Sequence, residues 1–313
     1  MKIIKSSVDV LEQKPGIEGM LKHIEIIGRL SHKSEDKITD NSYIKFRDII
    51  MKMGHWAVFN MGTVYLKFSI FKVGLFWKLL KHYPFSRFTI RGFTVYATTD
   101  YRVILQEGLE YEMNVYWCEP TEYHHLRITA HFICSRAISH ELVRHASLRP
   151  MQESTRYCYY GKDKFGGLTY ILPQWIYDVR TEIGNTVDPL TGESRKYILE
   201  LDGQELWDEL CIYDRTVASR NKKLKEAEEE YLWETTTDES YRLRPEDARG
   251  VLPHDLKTEL YMCGYIEDWC MRPKTKERTG FFFLRSDQSA HPDVRVLSQA
   301  LEEIFKEKGY ETD

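Results

Sequence analysis

Between residues 63 and 134 the chain carries four runs rich in β-branched and aromatic residues: TVYLKFSIF (63–71), FTIRGFTVYAT (88–98), EYEMNVYWCE (110–119) and HHLRITAHFIC (124–134). Side chains of this kind suit a pleated, half-buried surface, so all four predict strands. Around them lie segments of helical period. IEGMLKHIEIIGRL (17–30) and YIKFRDIIMKM (43–53) come before, and Val294 to Lys308 closes the chain. A strand block of this size must bury a face against helices. The pattern predicts a single α+β domain over residues 1–313, with a central, mostly antiparallel sheet flanked by long helices.

The remaining segments follow local signals. Residues 1–10 alternate as a strand does, and LTYILP (168–173) after Gly166 and Gly167 reads as a short one. Ser31 and Asp40 are plausible helix caps, and Gly54 should stop the second helix, with His55 directly behind it. Residues 178–195 are a polar loop, followed by a long helix from Arg195 to about Tyr231 whose NKKLKEAEEE (221–230) is a solvated face. Pro245 with Glu246 and Asp247 marks another helix start. Leu256 to Trp269 is expected to be helical, and 271–280 to be a basic loop.

The chain's 42% hydrophobic and 29% charged residues are those of an ordinary soluble protein, and its net charge of -4 argues against non-specific nucleic-acid binding. The six cysteines show no metal-ligand spacing, which predicts reduced thiols and a cytoplasmic setting. The N-terminus has no apolar core of signal-peptide length, and the apolar stretch from Val73 to Leu80 is too short to span a bilayer. No membrane partner is expected.

Against the acidic balance stands a cationic stretch. Arg144, His145, Arg149 and Arg156 fall within thirteen positions, interleaved with Gln152, Ser154 and Thr155. Guanidinium forks beside hydroxyls suit a phosphate or another planar anion. A solvated charged face is the competing reading, but Pro150, Met151 and the tyrosines at 157, 159 and 160 interrupt it. Histidines 124, 125, 131 and 140 would allow a metal, yet neighbours on a strand point to opposite faces and no carboxylate or cysteine has partner spacing. Cys158 has no local base for a nucleophilic role.

These residues resemble the flavin-dependent thymidylate synthases. That family's signature is Arg-His-Arg, then after seven residues Ser-x-Arg-Tyr. Here Arg144, His145, Ser154, Arg156 and Tyr157 match, with Ala146 in place of the third basic residue. SHELVRH, QESTRYC, the Gly-His at 54–55, ARGVLP (248–253) and FFFLRSDQSAHPDVR (281–295) are similar to further family segments. Insertions would lie near 70–115, 178–235 and 271–280. Asn60 and Met61 stand where the family usually has Glu-His, and Tyr265 and Glu267 where it has Asn-x-Arg.

The resemblance implies reductive methylation of dUMP to dTMP, with FAD as hydride carrier and methylenetetrahydrofolate and NADPH as co-substrates, in a homotetramer with shared sites. It implies that Glu141, Arg144, Gln152, Glu153, Ser154, Thr155, Arg156, Arg249 and Arg285 bind the nucleotide. Arg285 and Ser154 would serve catalysis, Arg285 by facing the uracil ring and Ser154 by binding rather than as nucleophile. His55, Ala57, Asn60, Arg144, His145, Ala146 and Gln152 would line the flavin, and no metal is implied. Flavin chemistry removes the need for a thiolate, and the protein supplies orientation and electrostatics. A nucleotide-binding relative with a decayed flavin site, and a metal-dependent phosphohydrolase using the histidines, are the alternatives.

Overall fold

The computed structural model describes residues 2–161, 167–176, 215–238, 240–270 and 280–310. At its centre is an antiparallel sheet of order β2-β6-β9-β7, formed by Ser7–Leu11, Arg127–Ser135, Lys257–Tyr265 and Arg149–Gln152. β6 and β9 pair over their full lengths, from Arg127↔Tyr265 to Ser135↔Lys257. Beside it stands a three-stranded antiparallel sheet of order β3 (Thr63–Ser69), β5 (Thr94–Asp100), β4 (Arg87–Arg91). A third, parallel pair joins β1 (Lys2–Ile4) to β8 (Thr169–Ile171). The architecture is α+β with antiparallel sheets, as the strand runs and flanking periodic segments predict.

Side chains alternate across the central sheet, and each face buries a different set. Ile128, Ala130, Phe132, Leu260 and Met262 pack against the closing helix Pro292–Glu307 and against Trp269, Phe281 and Phe282. Trp269 meets Phe281 edge-on at 5.1 Å and Phe305 at 6.0 Å. The other face carries Thr129, His131, Tyr261 and Cys263 toward α1 (Gly16–Leu30), while Tyr265 reaches the three-stranded sheet, donating to Phe85 O and Thr98 O at 2.7 Å. His23 of α1 bonds Thr129 at 3.1 Å, and Ile27 and Leu30 pack with Tyr261 and Cys263. Across α1, α2 (Ser42–Met53) packs so closely at Gly28 that a Cβ there would sit 2.6 Å from Phe46 and 2.7 Å from Val58. α2 stops at Gly54 with φ 70, the left-handed turn that glycine adopts without steric cost.

Several local expectations are corrected. EYEMNVYWCE is not a strand: α5 spans Glu110–Tyr116, because buried Leu109 and Met113 stand four apart and Glu110 and Glu112 occupy the favourable first turn. Within the strand-rich block, Val73–Leu80 and Tyr101–Glu107 are also helices (α3, α4). Leu256 to Trp269 is the central strand β9 followed by a single helical turn, Ile266–Trp269. A strand flanked on both sides buries both faces, so its sequence lacks alternation and reads like a buried helix. Asp40 does not cap α2; its N-cap is Asn41, with no side-chain bond. Ser31 is the C-cap of α1. The described part of the long charged helix is Arg215–Thr236, and the loops expected at 178–195 and, apart from Gly280, at 271–280 lie outside the described residues.

Candidate functional site

The sequence-predicted residues gather in two clusters on opposite faces of the central sheet. The first lies at the C-terminal end of α1. As the chain leaves β7 it turns sharply: Tyr157 and Cys158 amides donate to the Ser154 carbonyl, and the Arg156 amide donates to Ser154 Oγ at 3.3 Å. The turn is fixed to α1 by Ser154 N donating to Ser31 O and by His32 stacking on Tyr157 at 4.3 Å. From ninety-four residues away, Arg249 Nη1 donates to Thr155 Oγ1 at 3.2 Å. Glu246 receives Arg156 at 3.2 Å and Arg244 at 2.8 Å. Arg156 and Arg249 are both exposed, so two guanidiniums and the Ser154 hydroxyl face solvent from one small area.

Beneath the turn runs a buried charge network. Glu153 is 3% exposed; its carboxylate accepts from Tyr160 at 2.8 Å and pairs with Lys257 at 3.3 Å. Lys257 also holds Glu259 at 2.7 Å, and Lys33 pairs with the same carboxylate. His131 meets its other oxygen at 3.1 Å. Burial alone would raise the Glu259 carboxyl, but the His131 hydrogen bond and the two lysines hold it well below the usual carboxylate range. Lys33 has φ 47, a left-handed backbone that costs a β-carbon residue about 1 kcal/mol. That turn is what aims its ammonium at the network. Lys33, His32, Glu246, Lys257 and Glu259 were not foreseeable, since each meets the site only through tertiary contacts.

The second cluster surrounds α6 (Arg136–Leu142) on the opposite face. Arg285 Nε donates to His145 Nε2 at 2.7 Å, and its Nη atoms donate to Glu141 Oε2 at 3.2 Å and to the Glu141 carbonyl at 2.8 Å. Arg144 pairs with Glu141 at 3.0 Å and is exposed. Burial, then the Arg285 charge, pushes His145 down to about 4, so at neutral pH its Nε2 is free to accept. Gln152 donates to Ser139 Oγ of α6 at 2.9 Å and to Thr258 at 3.1 Å. One chain therefore brings Arg156 with Arg249, and Arg144 with Arg285, but not the two pairs together.

Of the expected flavin contacts, His55, Ala57, Arg144 and Ala146 are exposed and sterically open. His55 stands near His32, whose imidazole is lowered by burial and then by the His55 charge. Asn60 and Met61 are not open: Asn60 is buried with its carbonyl accepting from Arg127 at 2.7 Å, and Met61 packs against Ile27 and Tyr261. Exposure leaves His55, Ala57, Arg144 and Ala146 accessible to a flavin, whereas the buried 60–61 segment is closed to one. Cys158 is fully buried, and burial first, then Glu153, pushes its thiol up to about 12, which leaves no nucleophile there.

The histidines do not converge. His125 pairs with Glu267 at 2.6 Å, His131 with Glu259, and His124 accepts from the Thr121 amide at 3.1 Å, while His140 is exposed. Among the described residues no group of three His, Cys, Asp or Glu side chains is placed to hold a metal ion. Nor is any helix among them long and apolar enough to cross a membrane.

The model of one protein family, Thy1, described as "Thymidylate synthase complementing protein", matches residues 119–308, more than half of the chain. Both clusters lie within that stretch apart from Ser31, His32 and Lys33. No curated protein matches. Among solved structures, a UMP/dUMP methylase, PolB, from Streptomyces cacaoi bound with 5-Br dUMP is 12% identical, covering 98% of this chain and 93% of its own, with a TM-score of 0.36.

Proposed function

Because the chain belongs to the thymidylate synthase complementing protein family, we propose that it is a flavin-dependent thymidylate synthase acting on dUMP, with methylenetetrahydrofolate as carbon donor and NADPH as reductant. What carries the reading is the joining of Ser154–Arg156 to Arg249 through the 3.2 Å bond at Thr155. Two segments remote in sequence there present guanidinium and hydroxyl donors to one area, the chemistry a nucleotide phosphate requires. In this reading Arg156, Arg249 and Ser154 hold the phosphate and sugar of dUMP. Glu246, which now neutralises Arg156, gives way to the phosphate.

Arg285 is held by Glu141 and neutral His145, which orient its guanidinium for a uracil carbonyl and for charge developing on the ring. His55, Ala57, Arg144 and Ala146 would hold FAD, which supplies the hydride that makes a thiolate unnecessary. Among the described residues no hydrogen bond or ion pair joins Arg156 or Arg249 to Arg144 or Arg285. Their separation supports a homotetramer in which a neighbouring subunit completes each site, in a cytoplasmic protein built as one domain. Tritium release from C5-labelled dUMP, with Arg156→Ala as control, tests the reaction. No release from a preparation that shows the flavin absorption band would refute it.

A further inference from the structure

Between Asp48 and Asp100 the chain holds seven lysines and arginines and no acidic residue, although its net charge is -4. All of α3 and the β4–β5 hairpin lie in that stretch, ahead of the residues the family model matches. Part of this charge is compensated within the fold. Arg87 pairs with Asp268 and Glu267, and Lys81 lies 3.7 Å from Glu107, whose backbone carbonyl accepts from Lys78. Lys67, Lys72 and Arg91 are exposed, and among the described residues they form no ion pair. They rest on tyrosine rings instead, 5.6 Å from the centre of Tyr96, 5.9 Å from Tyr116 and 5.4 Å from Tyr123, whose hydroxyl Glu122 bonds.

The same unit turns apolar side chains outward. Phe71 and Phe93 are 74% and 72% exposed and stack on each other at 5.7 Å. They meet where the chain leaves β3 beside the hairpin tip, the Ile70 amide donating to the Phe93 carbonyl at 2.9 Å. On α3, exposed Val73 and Trp77 stand four apart on one face, while Leu75 and Leu79 are buried. Phe76 of α3 meets Phe88 of β4 edge-on at 5.2 Å, and Ile90, on the Phe88 side of that strand, is exposed again. Single exposed apolar residues are ordinary, but five in one small unit, interleaved with uncompensated cations, mark an interaction surface.

We propose that α3 and the Phe71–Phe93 tip dock on an anionic bilayer surface, the rings entering the headgroup boundary while Lys72 and Arg91 meet acidic lipid headgroups. Such a contact is peripheral and needs no spanning helix, and it stands independently of the reaction proposed above because it is read by lipid binding alone. Val73 and Ile90 have no ring to stack on a base and gain from hydrocarbon, which favours lipid over single-stranded nucleic acid. Side chains this exposed project from a tip and form no groove for a peptide. A second copy of the same surface would bring like charges together. Cosedimentation of the full chain with vesicles of equal parts phosphatidylserine and phosphatidylcholine is expected to show binding about ten-fold or more stronger than to phosphatidylcholine alone, and weaker at high salt. Phe71→Ser with Phe93→Ser, and separately Lys72→Gln with Arg91→Gln, are each expected to reduce it about ten-fold or more, and since all four side chains are exposed the core is untouched. No binding at millimolar lipid, equal binding to the two kinds of vesicle, or binding indifferent to both double variants would each overturn the proposal. So would tighter binding of oligothymidylate, which would assign the surface to nucleic acid, or a changed oligomeric state of the Phe71 and Phe93 variant in sedimentation, which would assign it to a contact between subunits.

Discussion

The Arg285–His145 contact makes a pH-dependent prediction whose size follows from the structure. His145 accepts from Arg285 through Nε2, packs 4.9 Å from the Phe281 ring centre, and is 9% exposed. Its value is about 4 in the fold against 6.5 in the unfolded chain. A lowered histidine means that the unfolded state binds more protons between those values, so stability falls as pH drops through 6.5 toward 4. At pH 5 the unfolded binding polynomial is about 33 and the folded one about 1.1, and RT times the logarithm of their ratio is about 2 kcal/mol. His145→Gln keeps a hydrogen-bonding side chain but cannot titrate. Urea unfolding of wild type and variant at pH 7.5 and pH 5.0 isolates the group, because other titrations cancel in the difference. The wild type is expected to lose about 2 kcal/mol more than the variant over that interval. An interval loss that is equal in the two proteins would refute the neutral, Arg285-bonded histidine.

Arg249→Ala removes a charge-assisted donor from the Ser154–Arg156 turn and is expected to weaken dUMP binding about ten- to a hundred-fold by calorimetry; unchanged affinity would detach Arg249 from the nucleotide. Gly28→Ala places a methyl against Phe46 and Val58 and is expected to destabilise the fold by about 1–3 kcal/mol, read as a lower melting temperature. Glu259→Gln leaves the Lys33, Lys257 and His131 cluster without its central charge. Since that carboxyl is held low in the fold, the stability it adds is present above its unfolded value and disappears on acidification. The variant is therefore expected to be less stable than wild type at pH 7, with the gap closing as pH falls through the acid range, followed by urea unfolding.

Helical periodicity was enough to read α1, α2 and the closing helix, and β-branched and aromatic content was enough to read β3, β5 and β6, although those strands are buried on both faces. Gly54 likewise ended α2 where a left-handed residue was needed. β9 was misread because it is buried on both sides, and α5 because aromatic residues that favour strands also fill a short helix packed by Leu109 and Met113. The Ser154–Arg156 turn and its family likeness were legible as spacing along the chain. Its partners were not. Lys33, Glu246, Arg249 and Glu259 reach it across the fold, and sequence order carries no distance between them. Tertiary structure alone decided that Arg156 joins Arg249 while Arg144 joins Arg285 on the other face, and that Arg149 turns away from both into a cavity. A strand directs consecutive side chains to opposite faces, so neighbours in sequence part, and residues ninety-four apart meet.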